Sequence, residues 1–154
     1  MGLDMYLTAE KFLFSLDPEE SAVNVQVVKA SGIGDLVTSE FSSLIRLPLI
    51  YWRKSNAIHK WFVDNVQDGD DDYGIYYVSW DHVEELQEAI TEVLQGTPPE
   101  EVLPTAPGFF FGSQDYDDWY YKDLKETEEK LIKLLKRKEE LKAKGWVLRY
   151  TSSW

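Results

Sequence analysis

The sequence predicts an α+β fold: a small, mainly antiparallel sheet packed by three helices within a single domain, 1–154. Two patterns predict the elements. Apolar residues alternate at period two in several short stretches and recur at helical period in three longer ones. A third observation predicts one core. The 154 residues are 44% hydrophobic and include 6 Trp, 9 Tyr and 7 Phe, which is one domain's length with ample apolar material.

Residues 3–14 alternate, with Leu3, Met5, Leu7 and Ala9 on one face and Asp4, Tyr6, Thr8 and Glu10 on the other, as a half-buried strand does. Residues 15–21 read as a turn around Asp17-Pro18. Asn24 to Lys29 (NVQVVK) reads as a second short strand, and 31–43, rich in Ser and Gly, as a loop. Residues 44–52 are apolar and suit a strand, but Pro48 cannot donate to a ladder and confines it to an edge or a bulge.

The period changes at Lys54. Ile58, Trp61, Phe62 and Val66 recur at helical spacing, predicting a helix over about 54–66. Residues 67–74 form an acidic loop and 75–78 a brief strand. A second helix, about 80–95, carries the stripe Val83, Leu86, Ile90, Val93 and Leu94. Asp81 with Glu84 three residues later resembles a capping box at its start, and Gly96 marks its end. Residues 96–108 are a proline-rich connection, and FFFGS (109–113) reads as a buried strand or plug, because three exposed Phe would invite aggregation. The longest helix, about 116–143, starts at Asp115 or Asp117 and buries Leu124, Leu131, Leu134 and Leu141. Gly145 ends it, and 146–151 form a C-terminal strand in the sheet.

Charge narrows the function classes. Asp and Glu number 28 against 16 Lys and Arg, a formal charge of −12. Residues 67–121 hold 14 acids and no Lys or Arg, whereas 122–154 hold 10 bases against 6 acids. Such a segment must be solvated, paired with the basic segments, or presented to a basic partner. Direct nucleic-acid binding is not expected, since that leaves a basic footprint. No apolar run approaches the ~18 residues of a membrane span, and the acid in MGLDMYL replaces the basic start of a secretory signal. With no cysteine, disulfides, thiolate metal sites and cysteine nucleophiles are excluded.

The short motifs are weak. Asp68, Asp70 and Asp72 match the start of a calcium loop, but Tyr73 and Ser79 occupy the positions that need Gly and a bidentate Glu, so the segment reads as a solvated acidic turn. With only two His, a multi-histidine metal site is also disfavoured; no metal and no cofactor are expected. Gly32 and Gly34 lack the third glycine of a dinucleotide loop. Ser113 lacks the flanking glycines of a nucleophile elbow.

The densest polar cluster is Arg53, Lys54, Asn56, His59 and Lys60. Arg53, Asn56 and Lys60 are candidate ligand-binding residues, since guanidinium, ammonium and amide groups on one helix face suit a phosphate or carboxylate. His59, with Asp117 or Asp118, is the candidate for proton transfer. The duller reading pairs the cations with the acidic loops, and the helix dipole alone explains acids at the start of the last helix.

Three stretches, Met1–Leu7 (MGLDMYL), Tyr51–Phe62 (YWRKSNAIHKWF) and Gly108–Thr127 (GFFFGSQDYDDWYYKDLKET), together resemble a family of small proteins of phages and prophage-bearing bacteria with no established activity. The resemblance implies an accessory protein acting in a bacterial host cytoplasm. Family members often carry cysteines beside the acidic loop, where this chain has Val66 and Tyr73; that argues against an essential thiol or zinc role. The expected function is an acidic protein-binding module that engages or inhibits a host protein with a basic surface, such as one that binds nucleic acid or serves defence. Asp70, Asp71, Asp72, Tyr73, Trp80, Tyr116 and Trp119 are its candidate contacts, because aromatics anchor interfaces and complementary charge speeds association. The alternative is a small enzyme or nucleotide- or anion-binding protein built on Arg53, His59 and Lys60 with Asp117 and Asp118. The oligomeric state is left open.

Overall fold

The computed structural model describes residues 2–38, 42–108 and 111–154. Along the chain the elements are β1 (Asp4–Leu13), α1 (Pro18–Ser31), β2 (Ser43–Arg53), α2 (Asn56–Val66), β3 (Ile75–Val78), α3 (Trp80–Leu94), α4 (Pro99–Val102), α5 (Asp118–Leu135), α6 (Lys138–Ala143) and β4 (Val147–Ser153). The fold is α+β, with a four-stranded antiparallel sheet in the order β2-β1-β4-β3 that includes the C-terminal strand. Pro48 lies on the edge strand β2, where its missing N–H breaks no ladder. β3 pairs antiparallel with β4, Tyr76 opposite Tyr150 and Val78 opposite Leu148.

The chain divides into two compact units, Met1–Ala9 with Pro48–Trp154, and Glu10–Leu47. The first holds the core. Met5 and Leu7 of β1, Ile50 and Trp52 of β2, and Leu148 and Tyr150 of β4 are buried with Ile58 and Phe62 of α2, Leu86 and Ile90 of α3, and Leu124 and Leu131 of α5. α3 and α5 pack against each other, and the Phe62 and Tyr150 rings stack at 3.9 Å.

Within this core the Trp52 indole N–H donates to the Thr127 hydroxyl at 2.8 Å, both residues being buried. Valine at Thr127 keeps the shape and removes the acceptor. Thr127→Val is expected to cost about 1–3 kcal/mol, the usual cost of an orphaned buried donor, read from the shift of the urea midpoint.

The second unit overturns one expectation. Residues 24–29 are not a strand; they lie inside α1. Asp17 Oδ1 accepts from Glu19 N (2.9 Å) and Glu20 N (3.0 Å), Pro18 starts the helix, and Gly32 ends it at φ 73°. Caps at both ends outweigh the alternation of Val23, Val25 and Val27.

Three further boundaries differ. α3 is capped by Ser79 rather than Asp81: the Ser79 hydroxyl accepts from His82 N and the His82 ring accepts from Ser79 N. The last helix is broken at Lys136–Arg137 into α5 and α6, and a turn of helix, α4, interrupts the proline-rich connection. The described residues therefore hold six helices rather than three. Of the FFFGS plug, Phe109 and Phe110 lie outside the described residues, and Phe111 is buried. No helix is long and apolar enough to cross a membrane.

Candidate functional site

A cleft of about 370 Å³ opens where β2 turns into α2, against the start of α5. Lys54 takes the left-handed conformation (φ 58°), unusual for a residue with a side chain, and so turns the chain from β2 into α2. Thr105, Gly112 and Ser113 form the other wall. Gly112 is required there: its φ is +88°, and a side-chain carbon on it would sit 3.2 Å from Lys54 Cβ.

Asn56 fixes that wall. It is 4% exposed; its Nδ2 donates to the Phe111 and Ser113 carbonyls at 3.1 and 2.7 Å, and its Oδ1 accepts from Ala106 N at 3.1 Å. An amide is the side chain that both donates and accepts in this way. Asn56 is thus a clip that ties the backbone of Ala106, Phe111 and Ser113 to the start of α2, and its polar atoms are spent on backbone rather than on a ligand.

The cleft also gathers Arg53, Lys54, Asp115, Asp117, Trp119 and Asp123. Arg53 and Lys54 are exposed, and neither has a carboxylate within ion-pair distance among the described residues. Asp117 is the N-cap of α5, its Oδ1 accepting from Trp119 N and Tyr120 N at 3.0 Å each. Trp119 is 70% exposed at the rim, with Lys122 Nζ 5.1 Å from its ring. Burial pushes the Asp123 carboxyl above the usual aspartate range, opposed by a hydrogen bond with Ser55. A half-buried acid facing unpaired cations is a common feature of binding clefts.

The sequence passed over Asp123. Its signal is position: it directly precedes Leu124 and follows Tyr120 by three, at the edge of the buried stripe of α5, where a charged side chain is out of pattern.

His59 and Lys60 are not in the cleft. His59 is 1% exposed; Nδ1 meets the Tyr150 hydroxyl at 2.7 Å and Nε2 meets Asp71 Oδ1 at 3.0 Å. A carboxylate only accepts, so Nε2 carries the proton and the Tyr150 hydroxyl donates to Nδ1. Burial lowers the His59 pKa despite Asp71, and burial raises that of Tyr150. The Phe111 and Trp154 ring centroids lie 5.1 and 5.8 Å from that of the imidazole, Phe111 nearly perpendicular to it. This is a correction: His59 is a neutral internal strut between Tyr150 and Asp71, and both ring nitrogens are engaged. It forms no pair with Asp117, and Asp118 does not line the cleft. Lys60 pairs instead with Asp64 at 2.6 Å, and Arg53 ends β2 rather than sharing a helix face with it.

The expected partner contacts divide in the same way. Asp71 holds His59, and Asp72 accepts from Gly74 N and the Tyr76 hydroxyl at 2.7 and 2.8 Å. Tyr73 stacks on Trp154 at 4.6 Å. Trp80 is 9% exposed and belongs to the core, a second correction. Tyr116 is partly buried against Tyr120. Asp70 and Trp119 remain open to solvent. Of the 14 acids in 67–121, only Glu84 is bridged to a lysine or arginine among the described residues, Lys138 at 2.7 Å. No group of three or more His, Asp or Glu among the described residues is placed to hold a metal. No protein-family model, curated protein or solved structure matches the chain.

Proposed function

We propose that the chain is a binding module that engages a protein with a basic surface, through the acidic rim at the start of α5 with Trp119 as anchor. The observation that carries this is the unneutralised acid of 67–121, with a single bridged carboxylate beside a Trp that is 70% exposed. An exposed Trp among unpaired charges is the usual chemistry of an interface hot spot steered by complementary charge. The motif resemblance supports a phage- or prophage-type accessory protein in a bacterial cytoplasm, with a host protein as the target.

The test is capture from a bacterial lysate at low and high salt. A defined partner is expected at low salt and lost at high salt. Trp119→Ala is expected to weaken its binding about tenfold or more. Asp70→Lys with Asp118→Lys should weaken it further while leaving the Asp71 and Asp72 bonds intact. A partner held equally by wild type and Trp119→Ala, or no partner at low salt, overturns the reading.

A second reading rests on the unpaired Arg53 and Lys54 opposite Asp123: the cleft holds a small anionic ligand. It requires a thermal shift with phosphate-bearing compounds that Arg53→Ala abolishes.

A further inference from the structure

The cleft carries charges of both signs that do not meet. Arg53 and Lys54 reach it from the end of β2, and Asp115, Asp117 and Asp123 reach it from α5 and the residues before it. Among the described residues none of the five is in an ion pair. Local donors hold the acids instead. Asp117 Oδ1 caps α5, Asp115 Oδ2 accepts from the Ser113 hydroxyl at 3.2 Å, and Asp123 accepts from Ser55. For Asp115 and Asp117 these bonds take one carboxylate oxygen of the two. The first turn of α2 opens beside the cations. It holds no acid, and Ser55 at its N-cap makes no capping bond, so the positive end of the helix dipole adds to Arg53 and Lys54.

That balance selects the ligand. Two cations against three carboxylates leave the lining negative by one charge. A plain anion on Arg53 and Lys54 faces three acids in the same small cleft, well inside a screening length. A doubly charged phosphate is opposed most. A plain cation on the acids faces Arg53 and Lys54. A molecule with an anionic end and a cationic end satisfies both sets. Ala57, Tyr120 and Leu124 complete the lining with buried apolar surface, which suits an aliphatic body between the two ends. At about 370 Å³ the cleft is at the small end of ligand pockets.

We propose that the cleft binds a small dipolar molecule of the amino-acid type, with its carboxylate on Arg53 and Lys54 and its ammonium on Asp115 and Asp123. The proposal rests on the reading of the cleft as a small-ligand site and narrows it, since the ligand is anionic at one end only.

Isothermal titration of the full chain tests this. The probes are γ-aminobutyrate and ε-aminocaproate, each beside its matched acid (butyrate, caproate) and amine (butylamine, hexylamine), with inorganic phosphate as the plain anion. The better of the two amino acids is expected to bind about tenfold tighter than its matched acid and its matched amine. Arg53→Gln should reduce its affinity to that of the amine. Asp115→Asn, at an exposed position, should weaken the amino acid several-fold and strengthen the matched acid, opposite changes that a folding defect does not give. An acid, an amine or phosphate that binds as tightly as the amino acid overturns the proposal; if that probe is an acid or phosphate, the small-anion reading of the cleft stands. An Asp115→Asn protein that weakens the acid and the amino acid alike also overturns it. No binding by any probe overturns both.

Discussion

Alanine at Asn56 is expected to lower the stability of the protein by about 3 kcal/mol. The figure follows from what Asn56 serves: two carbonyls, Phe111 and Ser113, and one N–H, Ala106, in a place where the side chain is 4% exposed. Removing one partner from a buried polar group costs about 1–3 kcal/mol, and water entering the vacated space recovers part of it. The urea midpoint should fall with the slope unchanged. Asn56→Asp is the sharper variant. It keeps the acceptor for Ala106 N but turns a carboxylate toward two carbonyl oxygens, so it should be no better than alanine although it is nearly isosteric. The same clip shapes the cleft, so ligand or partner affinity should fall with it. A loss below about 1 kcal/mol in both variants would show that this wall of the cleft holds without Asn56.

The second large effect is acid destabilisation through His59. Burial depresses the folded-state pKa below the ordinary histidine value of about 6.5, so between that depressed value and 6.5 the unfolded chain binds the proton that the folded chain refuses. Stability is therefore fully present above pH 6.5 and falls as pH drops through that window, by up to about 1.4 kcal/mol per pH unit. Protonating Nδ1 would also deprive the Tyr150 hydroxyl of its acceptor. Denaturation midpoints measured from pH 8 to pH 5 should show the slope, and His59→Gln should flatten it while lowering stability at pH 8. Asp123 acts with the opposite sign: its raised pKa makes acid stabilising near the lower, carboxylate range. A His59→Gln protein with an unchanged slope would assign the acid sensitivity to carboxylates.

Elements with long, consistent periodicity were legible without coordinates. The stripe of Ile58, Trp61 and Phe62 gives α2, the stripe from Val83 to Val93 gives α3, and the alternation from Leu3 to Ala9 gives β1. Pro48 confined β2 to an edge or a bulge, because a missing donor is a local fact with a topological consequence, and the strand order puts it on an edge. Residues 24–29 were misread because valines at alternate positions suit a strand, while the helix there is specified by its ends, Asp17-Pro18 and Gly32. The break at Lys136–Arg137 falls in a run of good helix formers that carries no local stop signal.

The candidate site was legible only in part. Arg53, Asn56, Asp117 and Trp119 do reach one cleft, but their roles differ from what residue type suggested. Asn56 looks like a ligand donor and is a backbone clip, because its partners lie 50 to 57 residues away. His59 looks like a general base and is a buried strut, because Tyr150 arrives from 91 residues on and Asp71 from the acidic loop. Trp80 sits in an acidic, aromatic stretch, yet it faces the core.

By itself the sequence determined the α+β class, the confinement of β2 to an edge or a bulge, the exclusion of thiol chemistry and the uneven charge that leaves 67–121 with 14 acids and no Lys or Arg. Each of these depends on composition or on spacing along a single element, which local geometry converts directly into structure. The tertiary structure alone decided which polar groups are spent inside the molecule and which remain for a partner. Those pairings join residues far apart in the chain, and burial, which follows only from packing, turned the ionisable His59 into a neutral support while leaving Arg53, Lys54 and Trp119 in solvent.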